Sequence, residues 1–125
     1  MNDHEVIVAD RPLRECNQDI RDGIERGLAV RVIDTRSRHN LGIGLPSGAR
    51  IHFEGSVGYY CGGLNNGASI RVSRNAGWAA GEAMASGDIT IDGYAGVSLG
   101  ASMRGGLIHV KGDAGPRCGV AMKGG

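Results

Sequence analysis

Residues 70–88 read IRVSRNAGWAAGEAMASGD and residues 89–107 read ITIDGYAGVSLGASMRGGL, two units of nineteen residues that align without a gap. A third unit, IHFEGSVGYYCGGLNNGAS (51–69), precedes them, and a fourth, IHVKGDAGPRCGVAMKGG (108–125), follows one residue short. Self-similarity at a fixed period is the mark of a repeat architecture, in which each unit covers the apolar edge of the next.

The columns of this alignment carry the chemistry. The first position is Ile51, Ile70, Ile89 and Ile108, and the third is Phe53, Val72, Ile91 and Val110. The second and fourth positions are mostly polar, so each unit opens with a period of two, a short strand with one buried face. The eighth position is Gly58, Gly77, Gly96 and Gly115; the twelfth is Gly62, Gly81, Gly100 and Gly119. Glycine admits positive φ and close backbone approach, so both columns are expected to be structural corners. Small residues fill the seventh position (Val57, Ala76, Ala95, Ala114), which implies a narrow interior there, and Met84, Met103 and Met122 follow Asn65 in the fifteenth. Each unit is therefore one coil, and equivalent strands stack at about 4.8 Å. Leucine-rich repeats need more Leu than this chain has, and the left-handed hexapeptide solenoid steps in sixes, which nineteen breaks. The expected fold class is all-β, a single-stranded right-handed β-helix (solenoid) of about 19-residue coils with a small N-terminal α/β cap; the hand itself is not legible in the period.

Residues 1–50 are expected to form that cap and residues 51–125 the Gly-rich repeats. Val6 to Val8 reads as a strand. Pro12 suits the first turn of a helix, Leu13, Cys16, Ile20 and Ile24 form one apolar stripe, and Gly27 is a stop. Leu28 to Ile33 reads as a second strand. Asp34 to Ala49, with Gly42, Gly44, Pro46 and Gly48, reads as a loop with the look of a degenerate first coil.

Bulk composition narrows function. The 23 glycines in 125 residues far exceed the usual share of about 7%, yet the regular schedule of Ile, Val and Ala argues against disorder. With 14 basic and 13 acidic side chains there is no charge excess to capture nucleic acid or an anionic membrane. No apolar run approaches the roughly 18 residues of a membrane span, and the first residues lack the basic start and apolar core of a signal peptide; a cytoplasmic location is the expectation. Cys16, Cys61 and Cys118 form no CxxC pair and are odd in number, against a disulfide scaffold.

No catalytic or metal site emerges from the residue pattern. His52 and His109 share the second position three coils apart, roughly 14 Å, too far to bind one zinc ion. Cys61 and Cys118 share the eleventh position at the same separation and read as small interior side chains beside Ala80 and Leu99. Glu54 and Asp92 lie two coils apart, about 10 Å, near the spacing of an inverting glycosidase pair, but Lys111 continues their column. The glycine spacings resemble phosphate loops only superficially, since no helix and no Lys-Ser/Thr pair follows them. Tyr59 and Tyr60, adjacent and so expected on opposite sides of an extended segment, are with Trp78 a candidate partner contact.

The Gly-x-x-Gly-x-x-x-Gly pattern with Ile-x-Val before it resembles the C-terminal GXGXG β-helix domain of the glutamate synthase large subunit. Arg36 to Gly48 and Ile51-His-Phe-Glu-Gly-Ser-Val-Gly resemble the lead-in to that domain. Gly55 to Gly67 (GSVGYYCGGLNNG) and Arg117 to Gly124 (RCGVAMKG) are similar to a small stand-alone β-helix subunit of glutamate synthase-like complexes, among them N-methylglutamate synthase (methylamine–glutamate N-methyltransferase). The resemblance runs from about Val6 onward. It implies a non-catalytic scaffold subunit, with no cofactor on this chain. The implied partners are a glutamine amidotransferase-like chain and a synthase-like chain that carries FMN and an iron–sulfur cluster. Relatives of this kind continue with further coils, so the expectation includes a partner over the open end, or homo-oligomers through it. The C subunit of formylmethanofuran dehydrogenase or hydrolase complexes shares the glycine pattern and is the alternative; a small stand-alone carbohydrate-active β-helix is the alternative of another class.

Overall fold

The computed structural model describes residues 3–125. Among them, six strands and one helix run β1 (Asp3–Ile7), α1 (Leu13–Glu25), β2 (Ala29–Ile33), β3 (Arg50–Phe53), β4 (Asn66–Val72), β5 (Ser86–Ile91) and β6 (Leu107–Val110). The strands form one parallel sheet in chain order, each paired with its neighbours in sequence. The nineteen-residue period becomes register: Ile51 pairs with Ile70, Ile70 with Ile89 and Ile89 with Ile108. The seventh-position residues form a second ladder, Val57 to Ala76 to Ala95 to Ala114. The chain is a β-solenoid with a short α/β start.

That start follows from local chemistry. Cys16 and Ile20 of α1 are fully buried, and Leu13 and Ile24 pack at the edge of the same core. At the helix end, Gly27 has φ +74°. Gly27 N–H donates to Ile24 O at 2.9 Å and Leu28 N–H to Gly23 O at 3.1 Å. Those paired bonds are a Schellman cap, which needs the left-handed residue that glycine supplies. Gly23, inside the helix, is small for a different reason, because a Cβ there would stand 2.6 Å from the His4 ring. The gap lets β1 lie against α1, where His4 Nε2 meets Asp19 Oδ1 at 2.7 Å.

Residues 34–49 are a coil rather than a plain loop. Val30 pairs with Ile51, so this turn is 21 residues long, two more than the repeat. Asn40 N–H donates to Tyr59 O and Gly44 N–H to Gly63 O, both at 2.8 Å. These are the bonds that Tyr60 makes to Trp78 and Leu64 to Glu82 one coil later. Leu41 and Leu45 are buried beneath them.

The interior is a set of columns. Val30, Ile51, Ile70 and Ile89 form one; Val32, Phe53, Val72 and Ile91 another; Leu41, Cys61, Ala80 and Leu99 a third; all are buried. Asn65 is fully buried where later coils have Met84 and Met103. Its amide is satisfied locally, with Nδ2–H donating to Ala68 O at 3.0 Å and Oδ1 accepting from Ala68 N–H at 2.9 Å, as a buried polar group requires. In the last coil the same columns are open: Cys118 and Met122 are exposed and Ile108 only half-buried.

The two glycine columns differ in cause. At the twelfth position φ is positive, +71° at Gly62, +68° at Gly81, +64° at Gly100 and +68° at Gly119. At the eighth it is not, so of the two properties of glycine it is close backbone approach, not positive φ, that acts there. Glycine is required at Gly77 because a Cβ would stand 2.8 Å from the Gly58 carbonyl carbon, and at Gly96 because it would stand 3.0 Å from that of Gly77.

Candidate partner-binding face

Opposite the strands, each coil passes through two overlapping turns. Gly63 N–H donates to Tyr60 O at 2.9 Å and Asn65 N–H to Gly62 O at 3.2 Å, and the pattern repeats in the next coils. Positive φ at the twelfth and fourteenth positions gives each turn the φ signs of type II, a turn that favours glycine at that place. Only the twelfth position is glycine throughout. Tyr60 (φ +65°), Leu64 (+57°), Ala79 (+58°) and Ala83 (+55°) carry side chains in the left-handed region.

This backbone decides where the aromatic residues go. Tyr59 and Tyr60 do not lie in an extended segment, and they do not divide between interior and solvent: both are exposed, as is Trp78. Tyr59 stacks on Trp78 with ring centroids 5.2 Å apart and planes 16° from parallel. On the other side of Tyr59 lies His39, 4.2 Å between centroids. Tyr59 N–H donates to His39 Nδ1 at 2.8 Å. The result is a stacked three-ring ladder along the coil stack.

His39 was not legible as a member of this set, because the first coil is longer and hides its register. The signal was the match of Asn40-Leu41-Gly42 to Tyr60-Cys61-Gly62, which puts His39 in the column of Tyr59 and Trp78.

Beside the ladder lies a groove of about 490 Å³ lined by Asn40, Ile43, Tyr60, Gly63, Leu64, Glu82 and Ala83. It exists because Gly63 has no side chain between Ile43 and Glu82 in the thirteenth-position column. Leu64, 57% exposed, forms one wall.

The remaining candidates are dispersed. His52 and His109 lie on β3 and β6, with two strands between their pairing positions. Glu54 accepts from Arg31 Nη1 at 2.9 Å, and Arg31 also pairs with Glu5. Asp92 accepts from Arg71 at 2.9 Å and faces Lys111 Nζ at 3.2 Å. The Arg71 hydrogen bond, helped by Lys111, holds the Asp92 carboxyl below its ordinary range. Both carboxylates of the glycosidase-like spacing are thus engaged by cations. Cys61 is buried as expected, and burial pushes its thiol up to about 12. Cys118, likewise expected to be an interior residue, is exposed because no described coil covers it. Among the described residues no three His, Cys, Asp or Glu side chains are grouped to hold a metal ion. No helix among them is long and apolar enough to cross a membrane.

Comparison with protein-family models, characterised proteins and solved structures finds no match for this chain.

Proposed function

We propose that the chain is a non-catalytic β-helical scaffold subunit of a glutamate synthase-type complex, with N-methylglutamate synthase the form its resemblance favours. The observation that carries the reading is the aromatic face. Tyr59, Tyr60, Trp78 and Leu64 expose large apolar surface side by side on successive coils. Aromatic side chains are enriched at the centres of protein interfaces, and a face of this kind on a rigid stack is suited to holding another chain. The sequence resemblance supplies the identity of that complex. Its synthase-like partner would carry the FMN and iron–sulfur cluster; this chain would set the distance and orientation between catalytic subunits.

The test is affinity capture of the full chain from its native source, with partners identified by mass. Amidotransferase-like and flavin-bearing chains are the expected result, and Tyr59→Ala/Trp78→Ala should lose them. Amidohydrolase-like partners would transfer the chain to the formylmethanofuran type of complex. Recovery of the chain alone would overturn the scaffold reading.

A further inference from the structure

The groove beside the aromatic ladder has a composition that a general apolar contact does not need. Ile43, Tyr60 and Leu64 supply its large apolar side chains, and Gly63 lies among them in the lining. The single carboxylic acid in its lining is Glu82, which is half-buried. Asp19, Asp34, Glu54 and Asp92 are neutralised within the chain, by Arg11, Arg36, Arg31 and Arg71; Glu82 is among the acids that are not. The Glu82 side chain makes no ion pair and no hydrogen bond with any described residue. Its backbone, by contrast, is fixed, because Glu82 O accepts from Leu64 N–H at 2.8 Å and Glu82 N–H donates to Ala79 O at 3.2 Å. An unpaired carboxylate carried on a fixed backbone beside an apolar groove is complementary to a cation on an apolar body. The adjacent Tyr60 ring adds a surface that attracts cations.

We infer that this groove is a binding site for an organic ammonium ion, the charged head on Glu82 and the alkyl chain along Ile43, Tyr60 and Leu64. The volume lies in the range of small-molecule sites. The site stands on the groove alone and does not depend on the scaffold assignment. A free amine and a lysine side chain present the same chemistry, and the test separates them.

The full chain, labelled with nitrogen-15, would be titrated with n-hexylammonium, with n-hexanol, and with N-acetyl-lysine N-methylamide while backbone amide shifts are followed. The expected result is saturable shifts centred on Gly63, Leu64 and Glu82 for an ammonium probe, with a Kd of about millimolar for so small a ligand. Hexanol should bind more weakly. Glu82→Gln, which keeps the shape of the groove, should weaken ammonium binding by about two- to fivefold, the worth of one partly exposed ion pair. Gly63→Ala, whose Cβ would stand 3.4 Å from Ile43 Cδ1 and 3.1 Å from Tyr60 O, should weaken it by adding bulk to the lining. An intact amide spectrum for each variant establishes that its fold is retained. Tighter binding of the lysine derivative would assign the site to a chain-borne lysine, and tighter binding of hexylammonium to a free amine. Absence of saturable shifts from both probes, equal binding of hexanol, or unchanged ammonium binding in Glu82→Gln would overturn the inference.

Discussion

The three cysteines differ by environment rather than by type. Cys16 and Cys61 are buried, while Cys118 is exposed on the last coil. Only a thiolate attacks an alkylating reagent, and the Cys61 thiol is pushed up to about 12 by burial. Under native conditions near pH 8, iodoacetamide should therefore label Cys118 first; peptide mass mapping that found Cys61 labelled as fast would refute its burial. Glycine shows the same dependence on environment. Gly77 is held by a close approach, its Cβ position 2.8 Å from the Gly58 carbonyl carbon. Gly77→Ala must push adjacent coils apart and should cost about 1–3 kcal/mol, as overpacking does. Denaturant unfolding measures this, and a midpoint equal to the parent's would show that the coils separate freely there.

At the scale of the strand, the outer face of the sheet is a lattice of charge. Arg31 links Glu5 on β1 to Glu54 beyond β3, and Asp92 beyond β5 gathers Arg71 of β4 and Lys111 beyond β6. The Asp92 pKa is lowered in the folded chain, chiefly by Arg71. A carboxylate of this kind contributes stability that is present above its unfolded pKa, near 4. That contribution is lost as pH falls through the lower folded value. Asp92→Asn should accordingly flatten the acid limb of the stability profile below about pH 4 while leaving its neutral shape alone; thermal melts across pH 2–7 would decide this. How far the elements were legible depends on what fixed them. The strand columns were plain, because burial of alternate residues leaves a period that repetition amplifies. The helix was plain from its stripe and from Gly27. The cause of the two glycine columns was not, since positive φ at Gly62 and close approach at Gly58 select the same residue. Nor was the outward turn of both Tyr59 and Tyr60, because nothing in a tyrosine announces that its φ will be +65°. The groove was hidden for a related reason: it depends on an absent side chain at Gly63, in a column where no residue type recurs.

For the whole molecule, the repeat predicts what can be removed. Deleting residues 70–88 takes out one full coil and joins Ser69 to Ile89, which restores the register at every column. The shortened chain should keep parallel-sheet circular dichroism and melt cooperatively, at a lower temperature because one inter-coil interface is lost. Deleting Gly81 alone removes only one residue but throws every later column out of step, and should be the more damaging change. If the two deletions melt alike, the columns are not what holds the coils together.

The pairing of each strand only with its sequence neighbours also sets the route by which the chain can fold. Aligned residues are separated by 26 positions at Asp3–Ala29, by 21 at Val30–Ile51 and by 19 at Ile51–Ile70. The later strands repeat the last value, so no strand must search beyond a loop of this length, and the entropy of closure does not grow as coils are added. Once one pair of coils has formed, each further coil meets a finished template and need only wrap once around it. Folding then resembles growth from a seed more than collapse of a whole chain, and its speed should depend little on how many coils remain to be laid down.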